Sequence, residues 1–173
     1  MKIINKILVP TDFSDLFLAG IEYVTTLTAF HDAQIYLLHI VPENILMPPY
    51  PNVDLSSETI LRDSMEEAKG ELHHLVSDKL KNINNVIPVV RRGEPYKEIV
   101  SFAHDEGIDL IVMATHGRTG LAHVLIGSVA EKVVRHSIIP VLTVKPVSFE
   151  NTLLEEEDVK EQLHIPQCNG GRQ

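Results

Sequence analysis

Five short apolar runs, rich in β-branched residues, recur along the chain, separated by longer segments of helical period. The runs are "KIINKILVP" (Lys2 to Pro10), "AQIYLLHIV" (Ala33 to Val41), "NVIPVVRR" (Asn85 to Arg92), "IDLIVMAT" (Ile108 to Thr115) and "IIPVLTVKP" (Ile138 to Pro146). Several are continuously apolar, as expected of strands buried on both faces of a parallel sheet. Between them, Phe17, Gly20, Ile21, Val24, Leu27 and Thr28 keep helical spacing, with Ser14 as the expected N-cap. Leu61, Met65, Ala68, Leu72, Leu75 and Val76 do the same over a longer helix. "EPYKEIVSFAHDEG" opens with Pro95 and closes with Gly107, the asymmetry of helix ends. "GSVAEKVVRH" has Ser128 followed by Glu131 three residues on, which predicts a capping box.

This βαβαβαβαβ order predicts a parallel sheet with helices on both faces and right-handed crossovers. Ligands of such sheets bind beyond the carboxyl ends of the strands, where strand order reverses. Three strand ends therefore matter: "VPTD", "HIVPE" and "MATHG". The proline-rich stretch from Pro42 to Asp54 is either a flap over the site or a passive connector. The expected organisation is one domain over 1–146 and an acidic tail over 147–173, formed of one short amphipathic helix followed by disorder.

Composition narrows the function classes. The net charge is −9, and from Val147 onward six acids face two bases. That argues against a nucleic-acid partner, which needs a basic footprint. Between Ala114 and His136 the balance reverses, with Arg118, Lys132 and Arg135 against Glu131. Such a segment suits either a compact anion or a solvated helix face. The one cysteine, Cys168, leaves no internal disulfide and fits a reducing compartment. There is no signal-peptide core and no run long enough to span a bilayer, so the expected location is cytoplasmic, with no membrane partner.

The candidate chemistry lies in "MATHGRTGLAHVLIGSVAEK", Met113 to Lys132. Phosphate binding needs convergent backbone N–H groups, supplied by glycine-rich loops and helix N-termini. Gly117 and Gly120 follow a strand, and Gly127-Ser128 begins the next helix. Ser128 is placed either to cap that helix or to offer its hydroxyl to a phosphate. Neither G-x-G-x-x-G nor G-x-x-x-x-G-K-[ST] occurs, which disfavours a dinucleotide dehydrogenase and a P-loop motor. His116 and His123 have no carboxylate or cysteine cluster beside them, which disfavours a dedicated zinc site.

The stretches "ILVPTDFSD", "LLHIVPE", "RRGEPYKEIV" and "DLIVMATHGRTGLAHVLIGSVAEKVVRHSIIPVLTVKP" together resemble the universal stress protein family over roughly Met1 to Pro146. That family's signature is G-x2-G-x9-G-[ST], and the matching positions are Ala114, Gly117, Gly127 and Ser128. Spacing is kept, but the first glycine is alanine. The resemblance implies a three-layer α/β sandwich, Rossmann-like, with a five-stranded parallel sheet in the order 3-2-1-4-5. It implies a site for ATP, AMP or ADP, with any Mg²⁺ or Mn²⁺ held by the phosphates. Asp12 would contact the adenosine, with Pro10 and Thr11 shaping the pocket and Val41 lining it and offering backbone hydrogen bonds. Met113 and Ala114 would lie along the adenosine. Gly117, with His116 beside it, would approach the phosphates. Gly127, Ser128 and Val129 would bind phosphate through N–H groups and the serine hydroxyl. Arg118 is added from its position alone.

Asp12 has a second reading as the cap of the helix that follows, a role Ser14 is expected to take over. Ala114 ends a strand, so its φ is expected to be negative and the methyl group tolerable. The resemblance also implies a stress-response regulatory module and a homodimer through the last strand, with a protein partner the sequence does not name. A slow ATPase and a nucleotide-independent interaction protein are the competing readings.

Overall fold

The computed structural model describes residues 3–28, 32–43, 57–115 and 126–145. Among these residues five strands alternate with four helices: β1 (Lys6–Pro10), α1 (Leu18–Thr28), β2 (Gln34–Val41), α2 (Ser57–Lys79), β3 (Val86–Arg92), α3 (Pro95–Asp105), β4 (Leu110–Ala114), α4 (Ser128–His136) and β5 (Val141–Val144). The sheet is parallel throughout, in the order β3-β2-β1-β4-β5. The strand order therefore reverses between β1 and β4, as expected.

Alternation along each strand divides the core into two layers. Ile7, Val9, Ile35, Leu37 and Val112 face one side, against Phe17, Ile21 and Val24 of the α1 region and Leu72 of α2. Leu8, Leu38, Ile40, Ile111 and Met113 face the other, against Ile99 and Phe102 of α3 and Val133 of α4. Both faces of β1, β2 and β4 are thus covered, which is why their sequences read as continuous apolar runs rather than alternating ones. Each fully buried Leu, Ile or Val contributes about 1.5–3 kcal/mol. That exceeds the roughly 1 kcal/mol span of strand propensity, so burial positions these strands.

The strands are shorter than their apolar runs, because polar groups compete for the backbone at the ends. The N–H groups of Asn5 and Lys6 donate to Asp109 Oδ2 at 2.9 and 3.2 Å, and β1 begins there. At β5, the Ile139 N–H donates to Ser137 Oγ at 3.0 Å, which delays the strand to Val141. Pro88 sits within β3, where an edge position tolerates a missing donor.

Helix ends follow the sequence in one case and depart from it in two. Pro95 opens α3, and beyond its last turn Gly107 has φ +64°. Gly107 N–H donates to His104 O at 3.2 Å and Ile108 N–H to Ala103 O at 2.9 Å, a Schellman closure that turns the chain into β4. Ser14, expected to cap α1, makes no side-chain cap bond; a 3-10 turn over Asp15–Phe17 intervenes. The expected capping box on α4 does not form either. Gly127, which has no side chain, is the N-cap, and Ser128 is the first helical residue. The Glu131 carboxylate pairs instead with Arg135 one turn on.

Candidate functional site

Among the described residues two polar side chains are buried, Thr11 and Thr115, each 8% exposed. Both stand at carboxyl ends of adjacent central strands, Thr11 after β1 and Thr115 after β4. Buried polar groups persist only where their hydrogen bonds are made, so they mark a specific local structure. Thr11 N–H donates to Leu38 O and Thr115 N–H to Val144 O, both at 2.9 Å. Each bond extends a strand ladder beyond its last paired residue. Gly127 N–H then donates to Thr115 O at 2.6 Å, which brings the start of α4 against the end of β4.

These strand ends enclose a cleft of ≈ 400 Å³. Pro10, Thr11 and Asp12 form one wall, Met113, Ala114 and Thr115 a second, and Gly127, Ser128, Val129 and Ala130 a third. Leu38, His39, Ile40 and Pro42 close it from β2, and Pro95 and Ile99 from α3. Of the twelve residues named from sequence, eight line this cleft: Pro10, Thr11, Asp12, Met113, Ala114, Gly127, Ser128 and Val129. Val41 is buried beside it, its carbonyl accepting the Gly93 N–H at 3.0 Å, and its neighbours Ile40 and Pro42 form the wall. Gly93 makes that bond with φ +140°, where a Cβ would stand 2.8 Å from Glu98 Cγ. His116, Gly117 and Arg118 lie outside the described residues, as do Gly120, His123, the Pro-rich stretch from 44 to 54 and the tail.

The third wall is the start of α4, and it presents a helix N-terminus to the cleft. The N–H of Glu131 is bonded to Gly127 O at 2.9 Å. Helix geometry therefore leaves the N–H groups of Ser128, Val129 and Ala130 directed out of the N-terminus. The macrodipole adds roughly half a positive charge there. Ser128, the first residue of the helix, lines the same cleft.

Asp12 is not the free carboxylate that a capping Ser14 would leave. Its Oδ1 accepts the Ser14 N–H at 3.1 Å and the Ser14 hydroxyl at 2.6 Å. The two residues thus exchange the expected roles: aspartate accepts, and serine donates. Ala114 has negative φ, since the positive-φ residues other than glycine among those described are Phe13 and Asn85. Its methyl therefore carries no left-handed strain.

Sequence reasoning missed His39, Thr115, Ala130 and the α3 wall. His39 was detectable as a polar interruption in "YLLHIV". The α3 wall was not, because helix-to-helix proximity leaves no local pattern. Behind it, Glu94 receives Lys97 at 2.9 Å and Lys132 at 3.7 Å, which ties α3 to α4. Lys97 and, against some desolvation, the charges of Lys97 and Lys132 hold the Glu94 carboxyl below its usual range.

The family model of universal stress proteins matches residues 4–145. The chain belongs to the universal stress protein family. Among its relatives, universal stress protein MJ0577 of Methanocaldococcus jannaschii is 34% identical over 156 residues, 82% of this chain and 94% of that one. The solved structure of MJ0577 superposes with a TM-score of 0.73 at 33% identity, covering 83% of this chain and 97% of that one. Two more distant universal stress proteins share the fold and were solved with nucleotides. One is a complex with cAMP (TM-score 0.60, 20% identity, 84% and 99% coverage). The other, from Archaeoglobus fulgidus, is a complex with dAMP (TM-score 0.57, 24% identity, 83% and 100% coverage). Among the described residues of this universal stress protein, no helix is long and apolar enough to cross a membrane.

Proposed function

We propose that this universal stress protein binds an adenine nucleotide, ATP foremost, in the cleft beyond β1 and β4, and acts as a regulatory module. One observation carries the reading: the N-terminus of α4 and the Thr11–Asp12 turn converge on the same ≈ 400 Å³ cleft. That volume lies in the range of small-ligand sites, about 300–1,000 Å³. The division of labour follows from the walls. Ile40, Ile99 and Met113 supply apolar surface for a base, Asp12 an acceptor for ribose hydroxyls, and the N–H groups of Ser128, Val129 and Ala130 donors for phosphate. AMP or ADP would use the same contacts less one or two phosphates. Fold relatives crystallised with cAMP and dAMP support an adenine nucleotide over other anions.

Among the described residues no three His, Cys, Asp or Glu side chains gather as a metal site. A Mg²⁺ or Mn²⁺ would enter on the phosphates, with few protein ligands. As a module of this kind it would pair as a homodimer through the exposed edge of β5, the last strand of the sheet.

The test is direct. Natively purified protein is denatured, the released nucleotide is identified by mass spectrometry, and ATP, ADP and AMP are titrated calorimetrically into stripped protein. Bound or titratable nucleotide is expected. Its absence from both measurements would overturn the reading in favour of a nucleotide-independent interaction protein. Steady loss of added ATP would make the module a slow ATPase.

A further inference from the structure

The turn that carries Asp12 is held from the neighbouring strand. Thr11 is bound at three points: its N–H donates to Leu38 O at 2.9 Å, its Oγ1 accepts the Phe13 N–H at 3.1 Å, and its carbonyl meets His39 Nδ1 at 2.9 Å. A carbonyl oxygen only accepts, so Nδ1 of His39 carries the proton. The His39 ring also lies on the Phe13 ring, with centroids 4.1 Å apart and planes inclined by 31°. Phe13 has φ +65°, a region unfavourable for a bulky side chain unless its surroundings enforce it. His39 therefore grips the residue before Asp12 by a hydrogen bond and the residue after it by ring contact. It does so from β2, the strand whose end closes another side of the same cleft.

We propose that His39 is a positioning residue for nucleotide recognition: its Nδ1–H and its ring hold the Thr11–Phe13 turn and so aim Asp12 into the cleft. The proposal rests on the nucleotide reading above for its functional meaning, and on the turn itself for its structural content. The donor at Nδ1 is the essential feature. Asparagine places an amide nitrogen where histidine has Nδ1; leucine has no donor, and glutamine carries its donor one methylene further out.

The experiment compares His39→Asn, His39→Leu and His39→Gln with the parent protein by calorimetric titration with ATP, and by amide hydrogen exchange without nucleotide. His39→Leu and His39→Gln are expected to bind about tenfold more weakly, with His39→Asn restored to within about threefold. Without ligand, exchange over Thr11–Ser14 is expected to quicken about tenfold in the leucine and glutamine variants and to stay near parental in the asparagine variant. Parental affinity in folded His39→Leu, or equal weakness in His39→Asn and His39→Gln, would overturn the proposal. If the parent itself binds no nucleotide, the functional reading fails on its own. Unchanged exchange across all variants would then overturn the positioning claim as well.

Discussion

Gly127 donates its N–H to the carbonyl of Thr115 at 2.6 Å, and this bond joins the beginning of α4 to the end of β4 across the intervening loop. The helix N-terminus is thus tied to the end of a central strand by a backbone contact. Gly127 has φ −63°, a value proline shares. Gly127→Pro therefore deletes the donor without imposing a new φ. It is expected to be less stable than Gly127→Ala by at least about 1 kcal/mol, since the Thr115 carbonyl loses this donor and the ring's Cδ enters the place of the N–H hydrogen. Urea denaturation of the two variants measures the difference. Equal midpoints and slopes would show that the bond does not hold the helix in place.

Ser128 separates stability from binding. Its hydroxyl makes no cap bond, so Ser128→Ala is expected to alter stability by less than about 0.5 kcal/mol. A serine acting as N-cap would cost about 1 kcal/mol on the same change. Affinity for ATP is expected to fall, because one donor to the phosphate is lost. Thermal unfolding and calorimetric titration of the one variant check both halves.

Ala114 has negative φ and forms part of the second wall of the cleft. Restoring the family's glycine removes one methyl group from that wall and adds backbone freedom at the end of β4. Ala114→Gly is expected to change ATP affinity less than about tenfold, or roughly 1.4 kcal/mol. A larger gain in affinity by calorimetric titration would mean that the methyl group blocks the ligand, and a larger loss that it holds it.

The Glu94 carboxyl is held low by Lys97 first, and further by the charge of Lys132. A carboxyl whose folded pKa lies below its unfolded value adds stability that is fully present above the unfolded value, about 4.3. That stability drains away as the pH falls through the lower folded value. Glu94→Gln is therefore expected to flatten the acid limb of the stability profile while leaving its shape near pH 7 unchanged. Denaturant melts between neutral pH and pH 3 test this, and an unaltered acid limb would show that the pairing contributes nothing. The side chain is exposed, so the effect should also shrink at high salt.

The sequence by itself determined the α/β class, the five strands and the helices between them. Strands covered on both faces must be apolar at every position, and helices packed on one face must repeat every three to four residues. The Pro95 start and Gly107 stop of α3 were legible for the same reason, since backbone geometry there admits few residues. Of the twelve candidate residues, all but Arg118 named by the family resemblance, eight line the cleft: five at the carboxyl ends of β1 and β4, where such sheets place ligands, and three at the start of α4.

The tertiary structure decided which polar group serves which partner. Ser14 and Ser128 both looked like side-chain caps; Ser14 holds an N-cap position without a side-chain cap bond, and Ser128 lies one residue inside its helix. Asp12 accepts from Ser14, and Gly127 occupies the cap position of α4. A short polar side chain has several acceptors and donors within reach along its own chain, with energies that differ by about 1 kcal/mol or less. Contacts arriving from other elements settle such near-ties. His39 on Thr11 and Thr115 on Gly127 are two of them, and both come from residues remote in sequence.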